Sequence, residues 1–128
     1  MAGENTGILE LPYLANEALV KFRFVKLAGD ELVDQCDTAG EQCLGVGRVA
    51  VSAAEATAGK GTHVSRLGVC FVESGAAVTR DDLVTTDSVG RAITAVATNL
   101  VHGQALKAAA GAGEWIPVAL AINSHVQA

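Results

Sequence analysis

The stretch Ala18-Leu19-Val20-Lys21-Phe22-Arg23-Phe24-Val25-Lys26-Leu27 decides how this chain is read. On an extended backbone Val20, Phe22 and Phe24 fall on one side and Lys21 and Arg23 on the other, the period of a strand with one buried face. Outward from it, turn signals recur at short intervals: Gly29-Asp30, Thr38-Ala39-Gly40, Gly59-Lys60-Gly61, Ser74-Gly75, Asp87-Ser88-Val89-Gly90 and Gly111-Ala112-Gly113. Between them lie further β-type runs at 44–51, 63–72, 83–86, 91–96, 101–108 and 115–122. Short strands at this spacing predict a mainly β protein, a small β-barrel or β-sandwich.

One short helix is expected at 52–58, where Ser52 is placed to cap and Glu55 follows three positions on, the capping-box spacing. The alanine-rich run 105–112 is crowded by Gly103, Gly111 and Gly113 and reads as a strand followed by a turn. Residues 1–17 differ from the rest. The first six are small and polar, and Gly7-Ile8-Leu9-Glu10-Leu11-Pro12-Tyr13-Leu14 is apolar but holds a proline that cannot donate to a ladder. This segment is expected to be an extended N-terminal arm on a single β domain of residues 18–128. It either covers the barrel's own end or lies on another subunit.

Length and composition bound the function. A chain of 128 residues suits one domain. Half of it is apolar but only 4% is aromatic, so the core is expected to be a thin one of Val, Leu, Ile and Ala that oligomerisation would help. The formal charge of −5 argues against nucleic acid as a partner, because phosphate binding concentrates Lys and Arg. Glu4 stands where a secretory signal would carry basic residues, and no apolar run approaches the roughly 18 residues that span a bilayer. Export by that route and membrane insertion are not expected. Cys36, Cys43 and Cys70 lack metal-ligand or C-x-x-C spacing, which suits a reducing compartment and small apolar roles.

Candidate chemistry falls short at each place. Gly59-Lys60 lacks the leading glycine and the hydroxyl of a phosphate loop, since Ala54 and Gly61 occupy those positions. Nucleophilic catalysis would need one of the cysteines beside His63, His102 or His125. His63 and Cys70 are an odd number apart on one strand and point to opposite faces; pairs between strands stay open, against an expectation of buried Cys and exposed His. Asp30-Glu31, Asp81-Asp82 and Asp87 sit in turns, where carboxylates bond nearby amides before they bind cations. A lipoyl-type carrier would need a lysine at a hairpin tip with acidic or methionine neighbours, which neither Asp87–Gly90 nor Lys60 offers. No catalytic, metal or cofactor site is expected.

The order of motifs from Leu44 onward resembles the capsid decoration, or head cement, proteins of tailed phages. Leu44-Gly45-Val46-Gly47 is similar to the start of the family's central strand, Ala58-Gly59 to its glycine turn, and Val64 with Leu67-Gly68-Val69 to the strand that follows. Glu73-Ser74-Gly75 and Val78-Thr79 lead to Asp82-Leu83-Val84-Thr85 and the hairpin Asp87-Ser88-Val89-Gly90-Arg91-Ala92. Gly103-Gln104-Ala105-Leu106 and Gly113-Glu114-Trp115-Ile116-Pro117-Val118 resemble the last two strands. The pattern departs at Asp81, where the family more often has glycine, and at Pro117, which would suit an edge strand.

The resemblance implies a virion structural protein. It would sit on the outer surface of the expanded head, commonly as a homotrimer, and lock major capsid subunits against the pressure of packed DNA, a binding function without chemistry. It would pass through the host cytoplasm during assembly. The arm residues Ile8, Leu9, Leu11, Pro12, Tyr13 and Leu14 are the expected capsid contacts, by adding a strand or an apolar edge to a neighbour. Another virion accessory domain of tail or spike, or a small Cys/His hydrolase or carrier, are the alternatives.

Overall fold

Two cores share a single sheet, and two of its strands serve both. The computed structural model describes residues 6–128, with side chains from residue 9; Glu4 and the Ile8 side chain therefore lie outside the described residues. The elements are β1 (Thr6–Ala15), β2 (Arg23–Gly29), β3 (Leu32–Gln35), β4 (Gly45–Gly47), α1 (Ala53–Thr57), β5 (Gly61–Glu73), β6 (Leu83–Thr86), β7 (Ala92–Thr94), β8 (Leu100–Ala105) and β9 (Trp115–Val126). The sheet runs β1-β3-β2-β4-β5-β9-β8-β6-β7, and an additional β1–β5 pairing closes the first five strands into a barrel. The long β5 leaves the barrel and carries the other four strands.

Ala15, Leu19, Val25, Val33, Leu44, Val51 and Val64 fill the barrel. Phe22, Phe24, Cys36, Cys43, Val46, Cys70, Val72, Val84, Ile116 and Val118 belong to the second core. Adjacent strand residues point to opposite faces, so Phe24 enters one core and Val25 the other. Of the few aromatics, Phe22 and Phe24 are buried, Phe24 wholly so. Truncating such a side chain to alanine costs about 3–5 kcal/mol.

The stretch 18–27 is only partly the regular strand its alternation suggests. Leu19 bridges to Val51, Val20 is exposed, and Phe22 takes a left-handed backbone with φ 63° before β2 begins at Arg23. That conformation is unfavourable for a bulky residue. It is held from both sides, because the Phe22 N–H donates to the Gly47 carbonyl at 2.8 Å and its carbonyl accepts from the Glu73 N–H at 2.8 Å.

The helix forms where the capping box puts it, with the Ser52 hydroxyl accepting from the Glu55 N–H and the Glu55 carboxylate accepting from the Ser52 N–H. Gly59, with φ 88°, ends it. The run 105–112 is a strand end and turn, bridged to Val78 by Ala109. Two expectations need correction. Pro117 is not on an edge: β9 lies between β5 and β8, and Pro117 is opposite Phe71. The strand tolerates it because β8 ends at Ala105, opposite Val118, so the missing N–H falls beyond the β8 ladder. His102 is not exposed but wholly buried.

Segment 6–15 is extended and runs antiparallel along β5, from Thr6 opposite Val69 to Leu14 opposite Gly61, and its end pairs in parallel with β3. It is a stave of its own barrel. Gly61 permits the contact, since a Cβ there would collide with the Tyr13 carbonyl oxygen.

Candidate functional site

From 67 to 73 the β5–β9 register is unbroken: Leu67 faces Ala121, Val69 faces Ala119, Phe71 faces Pro117 and Glu73 faces Trp115. Opposed residues project to the same side of a sheet. These side chains therefore share one face, while Cys70, Val72, Ile116, Val118 and Leu120 project from the other into the second core. The outer face is almost as apolar as the inner one. Its one carboxylate, Glu73, is held by Arg23 through two bonds of 3.1 and 3.2 Å. Leu67 is 48% exposed and Trp115 52% exposed, and Leu9 of β1, opposite Leu67, extends the apolar row onto a third strand.

At the Trp115 end the face is finished by rings. Phe22 meets Trp115 edge-on at 4.9 Å and Phe71 at 5.8 Å. The Lys21 ammonium rests over both, 4.8 Å from the Trp115 ring and 5.0 Å from that of Phe22. A cation over aromatic faces is attracted by their quadrupoles, so Lys21 covers apolar surface that would otherwise meet water.

The arm residues divide between the two sides of β1. Leu9, Pro12 and Leu14 are exposed, Leu11 is half-buried, and Tyr13 packs against the barrel core. Pro12, Tyr13 and Leu14 line a cavity of about 450 Å³ with Glu31, Gly61, Thr62 and His63. Glu10, between the exposed residues, pairs with Arg48 at 2.5 Å. This border is mixed apolar and charged.

The groups weighed for chemistry are engaged in structure. His102 accepts the Asn123 N–H on Nδ1 at 3.1 Å, which leaves Nε2 to donate to the Glu41 carbonyl at 2.7 Å. Burial holds its pKa below the usual histidine value. With both ring nitrogens bonded to backbone, His102 is not placed to activate a thiol. His63 and His125 are exposed and all three cysteines are buried. Burial pushes the Cys70 thiol up to about 12. Lys60 bonds Glu55 at 2.7 Å, and this with the Ser52 amide holds the Glu55 carboxyl down at about 2. Asp87 accepts from the Val89 and Arg91 amides, and Asp82 from the Thr79 amide, the turn roles expected of them. Among the described residues no group of three or more His, Cys, Asp or Glu is placed to hold a metal ion.

A second cavity, of about 390 Å³, is lined by Lys26, Leu27, Gln42, Cys43, Leu44, Arg66 and Asn123. Its cations are occupied: Lys26 binds Asp37 at 2.6 Å and Glu41 at 3.2 Å, and Arg66 donates to the Leu44 carbonyl.

Among the described residues no catalytic group is assembled, while Leu67, Trp115 and Ala121 stand exposed on the β5–β9 face. The family model for phage cement proteins matches residues 4–120. The chain belongs to the phage cement protein family. Among solved structures, this cement protein is similar to the head fiber gp8.5 N base of bacteriophage phi29, with a TM-score of 0.69 and 18% identity over 88% of this chain and 93% of that one. At that identity the likeness speaks for the fold. Among curated proteins none matches significantly.

For a cement protein the β5–β9 face is the feature that the sequence reading passed over in favour of the arm. A signal for it was there. Leu67-Gly68-Val69-Cys70-Phe71-Val72 and Trp115-Ile116-Pro117-Val118-Ala119-Leu120-Ala121-Ile122 do not alternate, and unbroken apolar strands are those covered on both faces.

Proposed function

We propose that this chain decorates the outer surface of an expanded phage capsid as a homotrimer, meeting sibling copies through the outer β5–β9 face and the major capsid protein through β1. Capsid decoration is the role of its family. The observation that supports the division of surfaces is their difference in character. The β5–β9 face carries Leu67, Val69, Phe71, Ala119 and Ala121 with a single paired carboxylate, the make-up of interfaces between identical subunits. The β1 border mixes Leu9, Pro12 and Leu14 with Glu10, Arg48, Glu31 and His63, the more polar make-up of a contact formed after folding. Many such contacts summed over a lattice bind firmly though each is weak, and bridging neighbouring capsid subunits would resist the pressure of packed DNA. The protein acts by binding, without catalysis, and reaches the virion from the host cytoplasm.

The test is co-sedimentation with empty expanded and unexpanded capsids, for the wild type and for Leu9→Asp/Leu14→Asp. Wild type pelleting with expanded capsids, and the double variant remaining in the supernatant with its oligomer intact, supports the proposal. A wild type that binds neither capsid form overturns capsid decoration. A double variant that binds normally overturns the role of β1. Labelling that places the chain on a tail or spike would favour a different virion part.

A further inference from the structure

Cys36 and Cys43 approach each other to 3.1 Å between their Sγ atoms. A disulfide bond is about 2.05 Å long, so roughly 1 Å of approach separates this contact from a covalent one. Both cysteines flank the same loop: Cys36 follows β3 and bonds the Phe24 carbonyl through its N–H, and Cys43 leads into β4. The loop between them is ordered by several contacts that do not involve the thiols, beside the one the Cys43 Sγ makes to the Glu41 carbonyl at 3.7 Å. The Glu41 carboxylate accepts from the Asp37 and Thr38 amides and binds Lys26, and the Glu41 carbonyl receives His102. Asn123 holds the Cys43 backbone from the other side, its Oδ1 accepting the Cys43 N–H at 3.0 Å and its Nδ2 donating to the Cys43 carbonyl at 2.7 Å. The thiols are thus brought together mainly by contacts that neither sulfur makes.

We propose that Cys36 and Cys43 are a dithiol site that a small disulfide oxidant, of the glutathione class, converts to an internal disulfide closing the 36–43 loop. One thiolate attacks the oxidant and releases one thiol as a mixed disulfide forms. The second cysteine then displaces the other thiol, so that protein dithiol and oxidant become protein disulfide and two small thiols. Both sulfurs are buried, and burial pushes the Cys43 thiol well above its usual value. Attack therefore waits on an opening of the loop, and the exchange is slow in the folded chain. Cys70 takes no part, since its Sγ bonds the Phe71 carbonyl. If the chain is the virion component proposed above, the pair would be reduced in the host cell and oxidised once the particle leaves it. The bond itself is a property of the isolated chain and is tested without capsids.

The purified protein is equilibrated in oxidised glutathione with mild urea, and its intact mass, free thiols and Lys/Arg-cleaved peptides are measured. The expected result is a loss of two hydrogens, one remaining thiol at Cys70, and a peptide of residues 27–48 that carries the mass loss. Cleavage after Glu41 should leave its halves joined until reductant is added. The oxidised form should melt about 5–10 °C higher, since closing a short loop restricts the unfolded chain. Because Cys36→Ser or Cys43→Ser can weaken the fold, the wild-type measurement decides. Three free thiols after equilibration, a disulfide through Cys70, or a lower melting point on oxidation would each overturn the proposal.

Discussion

Replacing Leu67 by aspartate separates the stability of the fold from that of the proposed oligomer. Leu67 is 48% exposed, so about half of its side chain is already buried within the chain. Full burial of a leucine is worth about 2 kcal/mol, and the intrachain half is worth about 1 kcal/mol. The variant should therefore stay folded with a modestly lower urea midpoint. In a trimer that covers the outer β5–β9 face, the exposed half contributes about 1 kcal/mol per copy, or about 3 kcal/mol in all. That alone weakens association roughly a hundredfold. Each buried carboxylate adds a desolvation penalty of several kcal/mol, because the cations beside this row are engaged, Arg23 with Glu73 and Lys21 over the Trp115 and Phe22 rings. Light scattering on a size-exclusion column should give a trimer mass for wild type and a monomer mass for the variant at the same micromolar loading. A variant that elutes with the wild-type mass, folded by near-ultraviolet circular dichroism, would refute the assignment of this face. An unfolded variant would refute the estimate of what Leu67 buries within the chain.

Two further predictions concern the joint between the cores. Asn123→Ala leaves the Cys43 N–H and carbonyl without partners and puts alanine at φ 54°, and should cost about 2–4 kcal/mol in urea unfolding. Asn123→Gly should recover about 1 kcal/mol of that, and a glycine variant less stable than the alanine one would sink the backbone argument. His102 stays neutral in the fold, its pKa lowered by burial from 6.5, whereas the unfolded chain binds a proton below that value. Its contribution is therefore complete above pH 6.5 and lost as pH falls below it. Urea midpoints of wild type and His102→Gln between pH 8 and 5 should converge on the acid side; parallel profiles would show that His102 does not set the trend.

What the sequence made legible follows the range of the interactions. The α1 capping box is a contact across three residues, and it formed where Ser52 and Glu55 placed it. β6 and β9 begin at the residues their apolar runs suggest. Asp81, the position where the resemblance leads one to expect glycine, has a left-handed backbone at φ 75°, a conformation that Asp tolerates better than most. β3 was hidden, because Leu32-Val33-Asp34-Gln35 is too short to display a period. β4 is shorter than the run 44–51 implied, since the chain leaves the sheet after Gly47. The left-handed Phe22 and the buried His102 were illegible for a different reason. Each is fixed by groups distant in sequence: Gly47 and Glu73 for the first, Glu41 and Asn123 for the second.

The N-terminal segment is the instructive case, because sequence gave its conformation and not its partner. An apolar run with Pro12 reads as extended whether it docks on a neighbour or on its own sheet. Here it pairs with β5 from Thr6 to Leu14 and places Tyr13 against the barrel core. Removing it would open the barrel along β5 and expose Val64 and its neighbours, so loss of capsid binding by a truncated chain would report unfolding as readily as a lost contact. Substitutions at Leu9, Pro12 and Leu14 avoid this confusion. Their side chains point away from the barrel, and a charge placed there changes what the protein can touch while leaving the β1–β5 ladder intact.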